Sequence, residues 1–132
     1  MSRLHPDNVK GILFDLDGVL YVGEQVIEGA AETLEWLQRQ QIPCRFITNT
    51  STRTAGDVAA KLRGMGFGID DDQIFSAVSA TRDFLRKQGT PSVYLLIRES
   101  AKPEFQEFRH EVENPDFVVV GDIGAAWNYQ LL

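Results

Sequence analysis

At 132 residues with 43% hydrophobic side chains, the chain is long enough for one ordinary core and too apolar to be disordered throughout. Its formal net charge is −6 and it has no run of Lys or Arg, so the electrostatic footprint of a nucleic-acid binder is missing. No apolar run approaches the ~20 residues that span a bilayer, Met1 to Lys10 lacks a signal-peptide pattern, and the single Cys44 cannot form an internal disulfide; no membrane association and a reduced, cytoplasmic setting are expected.

In chain order, Val9 to Asp15 is a compact apolar run of the kind a parallel strand covered on both faces requires. A polar, Gly-containing turn follows. From Gly29 the period becomes helical, with Ala30, Leu34, Leu37 and Gln41 on one face, and this helix stops before Pro43. Cys44 to Thr48 reads as a second buried strand. Thr50 to Thr54 offers caps for a helix with the stripe Val58, Leu62 and Met65, and Gly64, Gly66 and Gly68 mark its end. Strand, helix, strand, helix is the order of a right-handed βαβ unit.

Ile74 and Phe75 form a short strand, and Ser76 to Gln88 a helix with Ala77, Ala80, Phe84 and Leu85 on the buried side. Gly89, Thr90 and Pro91 break it. Val93 to Ile97 is a third strand, an amphipathic segment surrounds Phe105 and Phe108, and Phe117 to Val120 is a fourth strand. The chain reaches Leu132 inside a further helix. His5 and His110 have no partners at metal-ligand spacing and read as exposed; Trp36 and Trp127 read as packing residues.

Asp15-Leu16-Asp17-Gly18 follows the first strand directly, which delivers two carboxylates to the carboxyl edge of a parallel sheet, where ligands bind in such folds. Asp15 there can attack phosphorus, and Asp17 can protonate a leaving oxygen and later take a proton from water. Two carboxylates repel a phosphate dianion, so Mg²⁺, a hard cation with oxygen ligands, is the expected cofactor. At the end of the second strand Thr48-Asn49-Thr50-Ser51 offers hydroxyls and N–H groups beside a helix start that favours anions. The same residues would serve equally well as plain caps for that helix.

Together Ile12-Leu13-Phe14-Asp15-Leu16-Asp17-Gly18-Val19-Leu20 resembles the first motif of the haloacid dehalogenase superfamily, and Phe46-Ile47-Thr48-Asn49 resembles its second. Glu28-Gly29-Ala30, Tyr94 to Ile97 and Asn114 to Val120 resemble the 4-nitrophenylphosphatase-like subfamily with a large α/β cap, and within it the phospholysine phosphohistidine inorganic pyrophosphate phosphatase group. The resemblance implies a Rossmann-like α/β core and a Mg²⁺-dependent phosphatase working through an aspartyl-phosphate. Asp15 would be the nucleophile and Asp17 the acid/base. The Asp15 carboxylate and the Asp17 carbonyl would hold the metal, and Leu16, Asp17, Thr48 and Asn49 would bind substrate phosphate.

The implied substrates are small phosphorylated molecules, pyrophosphate or phospho-amino-acid side chains. In the family a third motif supplies a lysine and a fourth an acidic loop for Mg²⁺, both beyond the cap. Gly121-Asp122 and Lys102 fall within the cap and match neither. The expectation is therefore an incomplete Rossmann-like core over residues 1–81 and a partial α/β cap over 82–132, with weak or no activity alone and a tendency to form a homo-oligomer. The alternative is a non-catalytic or regulatory protein acting by binding. A receiver-type phospho-acceptor fits less well, because such domains do not carry Asp-x-Asp-Gly.

Overall fold

The structure, a computed structural model, describes residues 9–131; His5 and Leu132, and the expectations attached to them, lie outside these residues. The chain forms two compact units, one taking the described residues up to Thr48 together with Val58–Phe75, the other Asn49–Asp57 and the residues from Ser76 onward.

In the first unit, β1 (Ile12–Asp15) pairs in parallel with β4 (Cys44–Thr48), and α1 (Ala30–Arg39) connects them. β5 (Ile74–Ser76) lies beyond β4, so the order is β1-β4-β5. α2 (Ala55–Gly64) joins β4 to β5. Between β1 and α1 the two-residue strands β2 (Tyr21–Val22) and β3 (Gln25–Val26) make a small antiparallel hairpin. It escapes a sequence reading because two residues carry no period.

The strand expected from Val9 starts only at Ile12, whose N–H donates to the Pro43 carbonyl at 2.9 Å where the ladder to β4 begins. Nor is it covered on both faces. Ile12 and Phe14 point inward, and Phe14 stacks on buried Phe46 with ring centroids 5.9 Å apart. On the opposite face Leu13 is 68% exposed and Ile47, the register partner of Asp15, is 38% exposed. A βαβ crossover sets its helix on one side of the sheet only, and α1 buries Ala30 and Leu37. Trp36, expected to pack, lies on the outer side of α1 and is half exposed.

The second unit holds α3 (Ala77–Lys87) and a parallel sheet in the order β7-β6-β8, made of Arg109–His110, Ser92–Leu96 and Phe117–Val120. Val78, Leu85, Val93, Ile97, Ala101, Phe105, Phe108 and Val119 form its core. The segment Glu99–Phe105, read as amphipathic, is a 3-10 helix that carries Pro103 and buries Ala101 and Phe105. The chain continues into short 3-10 turns, the last at Tyr129–Leu131, and Trp127 there is exposed.

α3 buries Leu85 as expected, together with Val78 and Ser79, while Ala77 and Ala80 are only half-buried and Phe84 is not buried. Ser76 caps the helix and exchanges two hydrogen bonds with Ser79, at 3.1 and 2.8 Å, which turns Ser79 inward. Half-exposed Phe84 instead meets Phe117 edge-on at 5.9 Å. His110 is exposed as expected, and its Nε2 lies 3.2 Å from the Phe105 carbonyl.

At the start of the second sheet, one carboxylate oxygen of Asp116 accepts both the N–H and the hydroxyl of Ser92 at 2.8 Å, and the Asp116 N–H donates back to Ser92 Oγ at 3.0 Å. These bonds hold the Asp116 carboxyl below its ordinary range. A depressed folded-state pKa gives stability that is present above the unfolded value of about 3.9 and is lost as pH falls through the folded one. Asp116→Asn is thus expected to melt below the wild type at pH 7, with the gap closing as pH falls below about 4. A gap of constant size across that range in paired thermal melts would show that the charge contributes nothing.

Among the described residues no helix is long and apolar enough to cross a membrane.

Candidate active site

β1 ends on Asp15, and its register with β4 sets Asp15 beside Ile47, so Thr48 stands one residue past that pair at the neighbouring carboxyl end. In a parallel sheet this edge gathers the last residues of adjacent strands and is where ligands bind.

Past Asp15 the chain closes into a tight loop. The N–H groups of Val19 and Leu20 both donate to the Leu16 carbonyl, at 3.2 and 2.9 Å, and the Gly18 N–H donates to the Tyr21 carbonyl at 2.7 Å. Gly18 has φ 80°, which a residue with a Cβ adopts only under strain. Leu16 and Leu20, 1% and 2% exposed, are drawn into the core, while Asp15 and Asp17 stay exposed. The alternation Asp-Leu-Asp thus divides the labour: the apolar residue anchors the loop and the carboxylates face water.

Asp15 Oδ1 accepts the Leu16 N–H at 2.8 Å, which orients the carboxylate. Leu16, expected to bind substrate, can do so only through its main chain, since its side chain is buried. Asp17, expected to serve both substrate and metal, bridges to Tyr21. Thr48 is half-buried and Asn49 exposed. Among the described residues no group of three or more His, Cys, Asp or Glu is arranged to hold a metal ion.

The residues after β4 leave two roles open for Thr48, and the structure removes one of them. α2 begins at Ala55 and is capped by Thr54, whose Oγ1 accepts the Asp57 N–H at 3.0 Å while its own N–H and hydroxyl donate to the Asp57 carboxylate at 3.2 and 2.7 Å. Thr48 and Asn49 therefore do not cap that helix. Thr54 is one of the caps expected over Thr50 to Thr54; α2 thus starts six residues beyond Asn49 and not directly beside it, and its Ala55 N–H donates to the Glu104 carboxylate at 3.0 Å. The anion at this helix end is supplied by the protein itself.

One neighbour of the loop carries no sequence signal. Lys61 of α2 donates to the Gly23 carbonyl at 3.0 Å, sits 4.3 Å over the Tyr21 ring and pairs with Glu24 at 3.5 Å. It braces the hairpin whose first residue closes the aspartate loop. Cys44, at the far end of β4, donates to the Ile42 carbonyl at 3.4 Å, and burial pushes its thiol pKa up, as suits a packing residue.

Comparison with known proteins gives the family of the chain. The family model of haloacid dehalogenase-like hydrolases matches residues 12–111. The chain is 32% identical to human phospholysine phosphohistidine inorganic pyrophosphate phosphatase, over 92% of this chain and 46% of that protein. It is 33% identical to an acid sugar phosphatase of Staphylococcus haemolyticus, over 86% of this chain and 45% of that protein. The crystal structure of 4-nitrophenylphosphatase from Thermotoga maritima superposes with a TM-score of 0.84 at 31% identity, covering 95% of this chain and 49% of that one. The chain spans about half the length of the relatives it matches. With the family model matched from β1 through β7, and relatives above 30% identity along nearly all of its length, this chain belongs to the haloacid dehalogenase-like hydrolases.

Proposed function

We propose that the chain carries the nucleophile half of a phosphatase site. The observation that supports this reading best is the pair of exposed carboxylates, Asp15 and Asp17, on a loop pinned by buried Leu16 and Leu20 at the end of β1, with Thr48 at the adjacent strand end. Asp15 attacks phosphorus through a carboxylate oxygen, and the bond to the leaving oxygen breaks as Asp17 gives that oxygen its proton. Water, deprotonated by Asp17, then attacks the aspartyl-phosphate, releasing phosphate and restoring Asp15. Thr48 and Asn49 donate to the phosphoryl oxygens, together with main-chain N–H groups of the aspartate loop.

The donor set fits Mg²⁺: the Asp15 carboxylate and the Asp17 main-chain carbonyl are hard oxygen ligands in a water-exposed place, where an ion that keeps several waters is at home. When bound, Mg²⁺ would offset the negative charge of the phosphoryl group. Two acidic residues make an incomplete metal shell, and the resemblance assigns the pairing lysine and a further acidic loop to parts of the family fold that residues 1–132 do not supply. Loss of one positioned donor typically costs ~10²–10³ in rate. These residues by themselves are therefore expected to turn over weakly or not at all, and to act by binding if catalysis is absent.

We further assign residues 1–81 to the core half and 82–132 to part of a cap, and place the protein in the cytoplasm on the evidence of its lone, half-buried Cys44. The substrates are small phosphorylated molecules, pyrophosphate or phospho-amino-acid side chains, and the exposed apolar positions Leu13 and Ile47 favour a homo-oligomer.

The test is phosphate release from 4-nitrophenyl phosphate and from pyrophosphate, in Mg²⁺ and in excess chelator, by the 132-residue chain and by a chain of the relatives' full length that contains it. The long form is expected to lose activity on chelation and regain it with Mg²⁺. Full activity in chelator would remove the metal from the reading. Turnover by the short form equal to that of the long one would show that the missing groups are not needed.

A further inference from the structure

Between Thr48, the last residue of β4, and Ala55, the first of α2, the backbone forms no helix or strand. Such a loop ordinarily opens easily, because water can replace its few internal bonds. This one is held at three successive points by residues far along the chain. Ser51 Oγ accepts the Asp122 N–H at 3.0 Å. The Thr52 carbonyl accepts the Ser100 hydroxyl at 2.6 Å. The Ala55 N–H donates to the Glu104 carboxylate at 3.0 Å.

The holders are themselves fixed. Glu104 is 10% exposed, and its second oxygen pairs with Arg82, so the buried carboxylate is charge-compensated. Gly121 packs on Ser51 so closely that a Cβ there would lie 3.2 Å from Ile97 Cγ2 and 3.4 Å from Ser51 Cβ. Asp122 is tied by its carbonyl to Arg98 Nε at 3.2 Å and by Oδ1 to the Gly124 N–H at 2.7 Å. The loop and all its holders belong to the same compact unit.

We propose that Ser100, Glu104 and the Gly121–Asp122 turn position Asn49 for phosphate by clamping Ser51–Ala55, an inference that rests on the phosphate-binding reading of Thr48 and Asn49. Ser51, two residues past Asn49, is fixed by the clamp. A loop pinned two residues past its ligand presents its donors without first having to be ordered, which is where positioned groups gain over mobile ones. Ser100 and Glu104 are positioning residues here, since they act through the strap.

The experiment uses the 132-residue chain, with Ser100→Ala, Glu104→Ala and Gly121→Ala set against the conservative Ser100→Thr and Glu104→Gln, which keep an oxygen at the bonding position. Glu107→Gln is the control: it breaks the exposed pair with Arg86 and leaves the strap alone. Amide hydrogen exchange at Asn49 and Thr50 is measured by NMR, and inorganic phosphate is titrated in Mg²⁺ while the Thr48 and Asn49 amide signals are followed.

The Ala variants are expected to exchange roughly tenfold faster at Asn49 and Thr50 and to bind phosphate roughly tenfold more weakly, with substantial rescue in the conservative pair and no change in Glu107→Gln. Should Glu104→Ala fail to fold, Ser100→Ala at an exposed position carries the same comparison. Unchanged exchange at Asn49 and Thr50 in the folded Ala variants overturns the clamp whatever phosphate does. If phosphate moves neither amide in the wild type, the phosphate-binding reading fails, while faster exchange in the variants would still establish the clamp.

Discussion

Asp15→Asn is expected to bring phosphate release down by ~10⁴–10⁶-fold in any form of the protein that turns over, because removing a covalent nucleophile collapses the whole sequence of steps that depend on it. An amide nitrogen or oxygen is too poor a nucleophile toward phosphorus, and the charge that attracts a cation is gone as well. Stability should hardly change. Asp15 is exposed, and the bond its Oδ1 accepts from the Leu16 N–H can be kept by the Asn carbonyl oxygen. The measurement is steady-state phosphate release alongside a denaturant melt of the same preparation. Activity within tenfold of wild type, with an unchanged melt, would mean that the attacking group lies elsewhere.

The second large effect is expected at Leu16, a residue with no chemistry of its own. Its side chain is 1% exposed, and its carbonyl accepts the N–H groups of both Val19 and Leu20. Leu16→Ala leaves a cavity under the loop and is expected to cost about 2–5 kcal/mol of unfolding free energy, the range for a buried leucine truncated to alanine. Val19→Ala, three residues on and 43% exposed, is expected to cost well under 1 kcal/mol and serves as the comparison. Because the loop that Leu16 anchors carries both aspartates, phosphate affinity in the folded fraction should fall too. A Leu16→Ala protein as stable as Val19→Ala in urea would show that the core closes over the gap and that the anchor is dispensable.

Most of the strands were legible because each is a run of adjacent apolar residues bounded by breakers, as at Phe46 between Cys44 and Thr48, or Val93 to Leu96 after Pro91. The aspartate pair was legible for the same reason: Asp15 ends such a run, so its place at the carboxyl edge follows once the run is read as a strand. The hairpin at Tyr21 to Val26 and the two-residue β7 were not, since pairs that short show no alternation. Lys61 was silent because its partners, the Gly23 carbonyl and the Tyr21 ring, lie about forty residues away and nothing near Lys61 announces them.

Sequence alone determined what each residue's own neighbours can enforce: the helices at Ala30–Arg39 and Ala55–Gly64, the order of strands and helices, the aspartates at the end of β1 and Thr48 at the end of β4. Tertiary structure decided what depends on a distant partner. It left one face of the first sheet open at Leu13 and Ile47, turned α3 so that Val78 packs beside Leu85 and Phe84 does not, and gave the first amide of α2 to Glu104, leaving Thr48 and Asn49 outside the cap. The division has a physical origin. Backbone preference and apolar period act over three or four residues, whereas a hydrogen bond across forty-nine positions or a packed ring exists only once the fold has brought both partners together.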